Sequence, residues 1–160
     1  MNSTSLLVLT LVAVAILALA GAWPPAAEVL NPLLCVTVLA ALPGRALPAM
    51  LVGLATGFIV DAWTTLWFGQ HAFTHMWVGY VLAFIAARMD MVQAGPAALA
   101  LALGTAAELG LGVGLRALFD KPVDTTPGPW IWVAAVAANT ALGLVFLRFA
   151  SRRGGLAWQR

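Results

Sequence analysis

Charge is what this sequence has least of. Its 160 residues include eight Lys and Arg and six Asp and Glu, together 9%. A soluble domain carries about 25% charged residues. That shortage excludes an ordinary water-facing surface, a nucleic-acid binder with a basic face, and a disordered polar chain. Cysteine is almost missing too. Cys35 stands alone, so there is no internal disulfide, no CxxC redox pair and no zinc spacing. It reads as a small apolar filler inside a helix. No basic segment precedes the first apolar run, which argues against a secretory signal peptide and for a retained first span. No GxSxG, P-loop or dinucleotide fingerprint occurs. His71 and His75 have half the spacing of a zinc motif, but Ala72 stands where HExxH needs glutamate. Neither a metal nor a cofactor is expected.

What fills the chain instead is apolar. Apolar residues make up 62% of it, with a mean hydropathy of +0.97. Six apolar runs follow one another: 6–22, 26–42, 46–68, 72–89, 97–119 and 130–149. A helix needs about 20 residues to cross a hydrocarbon core of roughly 30 Å. The expectation is a single integral membrane domain over 1–160, all-α, a polytopic bundle of six transmembrane helices. The second run is the shortest for a span, and Pro32 sits in its first turns, where a missing N–H is tolerated. A Pro43-Gly44-Arg45 break follows it. The polar stretch 120–129 reads as a loop.

Orientation follows from the basic residues. With six spans, Arg45, Arg88, Arg148, Arg152, Arg153 and Arg160 share one side, and Arg116 and Lys121 the other. The excess of positive charge marks the cytoplasmic side, so both termini are expected inside. Trp23, Trp67, Trp130 and Trp132 then cluster at outer span ends, whereas Trp158 lies inside.

A polar group within the bilayer is expensive, about 2.5–3.5 kcal/mol for a charge at mid-span on insertion scales. Each one therefore needs a reason. Gly53, Gly57, Asp61 and Thr65 recur at four-residue spacing, one face of a helix. Gly53 and Gly57 make a GxxxG pair that lets another backbone approach. The next spans place His71, His75 and Gly79; Gly104, Glu108 and Gly112; and Ala135, Asn139 and Gly143 in the same way. Turning these faces inward brings Asp61, His75, Glu108 and Asn139 towards one region. Such a set can fix helix packing through hydrogen bonds, line a ligand or ion pocket, or form a catalytic site. No nucleophile or metal set supports the last, so an enzyme is not expected. The four basic residues of the C-terminus read as an anchor beside anionic lipid or as a docking surface.

The stretch Gly53-x3-Gly57-x3-Asp61-x7-Gly69-x10-Tyr80 resembles the core signature of the bacterial rod shape-determining protein MreD family. Asn31-Pro32, the Leu42-Pro43-Gly44-Arg45 break and Asn139 are similar to features of that family as well. The bulk of Trp63, Thr64, Thr65 and Trp67 after Asp61 departs from it. The resemblance implies a multi-pass protein of the bacterial inner membrane, a non-enzymatic scaffold of the cell-elongation complex. Its partners would be an MreC-like bitopic protein and, through it, the MreB filament and the SEDS glycosyltransferase with its penicillin-binding transpeptidase. The small-residue spacing assigns Gly53, Gly57 and Gly79 to helix packing, and Gly69 and Tyr80 are counted with them. A homodimer is compatible with the resemblance. Because the family is similar in fold to the substrate-binding subunits of energy-coupling-factor transporters, a vitamin-like binding subunit is the alternative function. The short turn at Gly69-Gln70 and the outer tryptophans favour a lateral protein contact, with Trp67, Trp77, Trp130 and Trp132 as contact candidates.

Overall fold

The structure is a computed structural model that describes residues 3–23, 26, 29–64, 68–91, 93–119 and 129–152. Thr65, Trp67, Lys121, Arg153, Trp158, Arg160 and residues 120–128 of the expected loop lie outside the described residues. The described chain is helical throughout: α1 (Ser3–Gly21), α2 (Pro32–Ala41), α3 (Ala46–Thr64), α4 (Gln70–Ala86), α5 (Ala94–Leu118) and α6 (Trp130–Arg152).

Four of these, α1, α3, α5 and α6, are long and apolar enough to cross a membrane, with 19, 19, 25 and 23 residues. Only 28–33% of the most apolar window of each is buried by the rest of the protein. The remainder is partly or fully exposed, with Leu7, Leu11, Leu47, Leu51, Leu99, Leu103, Val133 and Val145 among the exposed residues. Exposed apolar surface on that scale belongs in lipid rather than water. This is the make-up of a helical membrane protein.

Helix α2 differs from the expected second span. The apolar run begins at Ala26, but the helix begins at Pro32 and has 10 residues. The physical reason is the Asn31-Pro32 pair. Asn31 is the N-cap, its Oδ1 accepting the Leu34 N–H at 3.1 Å, and proline occupies the first turn, where its missing N–H costs nothing. At 1.5 Å per residue such a helix covers about 15 Å, half a hydrocarbon core. All ten of its residues are buried. It is apolar around its whole circumference, as a helix enclosed by others must be. The other five helices all contact it, and Leu33, Leu34, Val36, Val38 and Leu39 form the centre of the apolar core.

The α2–α3 turn is built on Gly44, whose φ of +70° suits glycine. A Cβ there would sit 2.8 Å from the backbone of Ala87, so the turn also presses against the end of α4. At the opposite end Gly21 of α1 lies against Trp63 of α3.

The α3–α4 pair is the most intimate contact of the bundle. A methyl group at Gly53 would lie 2.5 Å from His75 O, and one at Gly57 would collide with His71 O and the Ala72 backbone. Gly79 faces Ala49 O in return. Two of the packing expectations need correction. Tyr80 points outward, 38% exposed, between Trp77 and Phe84 in a row of rings that begins at Phe73. One residue after Gly79, it is turned about 100° around the helix, away from α3. Gly69 has open space around it and acts through its φ of +101° at the start of α4.

Substitution Gly57→Ala should therefore lower the melting temperature in detergent, by the equivalent of about 1–3 kcal/mol of overpacking. Gly110→Ala is the matched control. Nothing lies within 4 Å of a Cβ at that position, and its melting temperature should hold or rise slightly.

Candidate functional site

The polar side chains of the interior fall into two neighbouring groups, not one. The first is built on Asp61, near the end of α3 and 1% exposed. Because α3 and α4 touch backbone to backbone at Gly57, the carboxylate reaches the first turn of α4. Its Oδ2 accepts the N–H of Gly69 at 2.9 Å and of Ala72 at 3.0 Å. Its Oδ1 accepts the N–H of His71 at 2.9 Å and the ring Nδ1–H of the same residue at 2.9 Å. The first N–H groups of a helix have no partner within it. Gly69, the N-cap of α4, has no side chain to supply one. Asp61 therefore caps α4 from another helix, and its negative charge sits at the favourable pole of the helix dipole. His71 reaches on from Asp61 to α5, its Nε2 standing 3.7 Å from Glu108 Oε1. Close by, Arg116 Nε donates to Gln70 Oε1 at 3.0 Å.

The second group surrounds the start of α2. Asn139, on α6 and 1% exposed, accepts the Asn31 N–H on Oδ1 at 2.8 Å and donates from Nδ2 to Val29 O at 3.1 Å. These are backbone groups at the helix break just before α2, and one amide side chain satisfies a donor and an acceptor together. Cys35 lies under the same helix, its Sγ–H donating to Asn139 O at 3.3 Å. The Asn31 amide is oriented by its cap bond to Leu34, so its Nδ2 faces His75 and donates to Nε2 at 3.1 Å. That leaves the hydrogen of the neutral ring on Nδ1, which donates to Thr56 Oγ1 at 3.3 Å. Thr56 bonds Val52 O at 2.9 Å and Thr37 Oγ1 at 2.7 Å. One chain of bonds thus joins α2, α3, α4 and α6.

The expected convergence of Asp61, His75, Glu108 and Asn139 is redistributed. Asp61 and Glu108 are joined through His71, whereas His75 and Asn139 are joined through Asn31. The two histidine rings stand edge to face, 6.2 Å between centroids, and each faces different partners. Among the described residues no group of three or more His, Cys, Asp or Glu side chains is arranged to hold a metal ion. Residues central to the network but outside the expected set are His71, Asn31, Thr37, Thr56 and Gln70. Asn31 carried a readable signal, an Asn-Pro helix start. Thr37, Thr56 and Gln70 carried none, because a lone hydroxyl or amide in an apolar run has no distinctive spacing.

Of the aromatic contact candidates, Trp77, Trp130 and Trp132 are exposed. Trp77 lines an apolar groove of about 530 Å³ between α4 and α5, with Phe73, Val81, Ile85, Leu103 and Leu111.

The chain matches no protein-family model, no curated protein and no solved structure.

What the site does chemically is hold helices by their ends. Asp61→Asn leaves one oxygen to accept, and Asp61→Leu none. A buried N–H left unpaired costs about 1–3 kcal/mol. Folded yield and melting temperature should fall in the order wild type, Asp61→Asn, Asp61→Leu. Asn139→Leu, which strands both Asn31 N–H and Val29 O, should fall with the last.

Proposed function

We propose that the protein is a non-enzymatic scaffold of the bacterial inner membrane, of the MreD type, serving the cell-elongation complex. One observation carries the reading. The interior polar side chains of Asp61, Asn31, His75 and Asn139 bond to helix ends and to one another, which stiffens the bundle as a support requires. The resemblance over Gly53 to Tyr80 supplies the family.

The scaffold crosses the membrane six times with both termini in the cytoplasm. The second crossing includes α2, whose 10 residues cover about 15 Å, half a hydrocarbon core, together with the backbone that leads into it. A helix break at membrane depth is tolerated where protein groups satisfy its backbone, and Asn139 does so for Val29 O and the Asn31 N–H. Membrane-impermeant thiol reagents should modify Lys121→Cys only from outside and Arg153→Cys only from inside, in a Cys35→Ala background. Labelling of both from one side overturns the topology.

The partner is an MreC-like bitopic protein whose single span lies along the aromatic row of α4. Phe73, Trp77, Tyr80 and Phe84 offer a continuous exposed strip beside an apolar groove. Aromatic side chains are over-represented among the residues that carry binding energy. Affinity purification from native membranes with mass spectrometry should recover that partner, together with the MreB, SEDS and transpeptidase components it serves. Trp77→Ala should weaken its recovery while membrane insertion stays intact. Recovery of paired ATPases and a vitamin-like ligand in its place would make the chain a transporter binding subunit.

A further inference from the structure

His71 is the only side chain that bridges Asp61 and Glu108 among the described residues, and the protons of that bridge can be counted. Asp61 accepts three backbone N–H groups on its two oxygens, and an ionised carboxylate only accepts. The ring nitrogen 2.9 Å from its Oδ1 is therefore the one that carries hydrogen, His71 Nδ1–H. The other nitrogen, Nε2, faces Glu108 Oε1 at 3.7 Å. The Glu108 side chain is 8% exposed and that of His71 19%, so water does little to screen the contact. A bare Nε2 lone pair opposite a carboxylate would set two acceptors against each other in an apolar bundle. One proton removes the conflict, either as O–H on Glu108 pointing at Nε2 or as N–H on Nε2 pointing at the carboxylate. The two arrangements have the same total charge.

We propose that His71 and Glu108 bind one proton between them, and that this proton ties α5 to the α3–α4 pair. The charged and titratable groups facing it are Asp61 from α3, His75 from α4, and Glu108 and Arg116 from α5. Helix α6 carries no titratable side chain before Arg148, and α1 none at all. Asp61 holds the ring in place from one side, and Arg116 lies two turns along α5 from Glu108, engaged with Gln70. The protein is thus a proton-binding protein at the junction of three helices, whatever partner it takes.

The test uses the whole chain in lipid nanodiscs. At neutral pH the infrared spectrum should show a protonated carboxyl band that disappears in Glu108→Gln, or else the nitrogen NMR spectrum should show His71 protonated on both ring nitrogens. An ionised Glu108 opposite a neutral His71 overturns the proposal. Should Glu108→Gln fail to fold, the spectra of the wild type still decide.

Discussion

A helix that starts inside an apolar medium needs partners for its first N–H groups, and water cannot supply them. Among the described residues, the starts of α2 and α4 are each held from another helix. Asp61 of α3 receives the first turn of α4. Asn139 of α6 receives the backbone that leads into α2, while Asn31 closes the cap. Most of the interior polarity follows from that requirement. His75 orients against Asn31, Thr56 against His75, and Thr37 against Thr56. The residues that look chemically active in the sequence are largely occupied by the backbone.

The caps depend in turn on how closely the helices approach. Asp61 reaches α4 because Gly53 and Gly57 remove the side chains that would hold the two backbones apart, and Gly79 does the same from the facing side. Without that contact the carboxylate would be a bare charge in the bundle, at a cost well above that of a satisfied one. Small residues and the acidic residue thus form one device, which is why they share a single helix face. The enclosed α2 completes it. A short helix that is apolar on every side can fill the centre of the bundle and leave the outer faces of its neighbours to lipid or to a partner.

Function on this reading divides between the inside and the outside of the bundle. The interior ties helix ends together, and the proposed proton between His71 and Glu108 would add a contact there. The exterior gives a surface: an aromatic row along α4 next to a groove against α5. The scaffold role proposed above would use both, since a partner helix gains most affinity from a face that does not have to be ordered on binding.

The helical class, the membrane setting and the small-residue face of α3 were legible in the sequence alone, because hydrophobicity and four-residue spacing are local properties of a chain. The inward placement of Asp61, Glu108 and Asn139 followed from the same periodicity. What the sequence could not decide was which polar group meets which. A helix face limits a side chain to a direction, whereas its partner depends on helix offsets set by the close contacts at Gly53, Gly57 and Gly79. A shift of one turn, about 5.4 Å, exchanges His71 for His75 opposite Asp61, and both lie on one stripe of α4. The true start of α2 shows the converse. Asn31-Pro32 states it locally, but the apolar run continues on either side and hides it. Only the tertiary structure, by supplying Asn139 to the exposed backbone at Val29 and Asn31, makes a broken helix stable where an unbroken one had been expected.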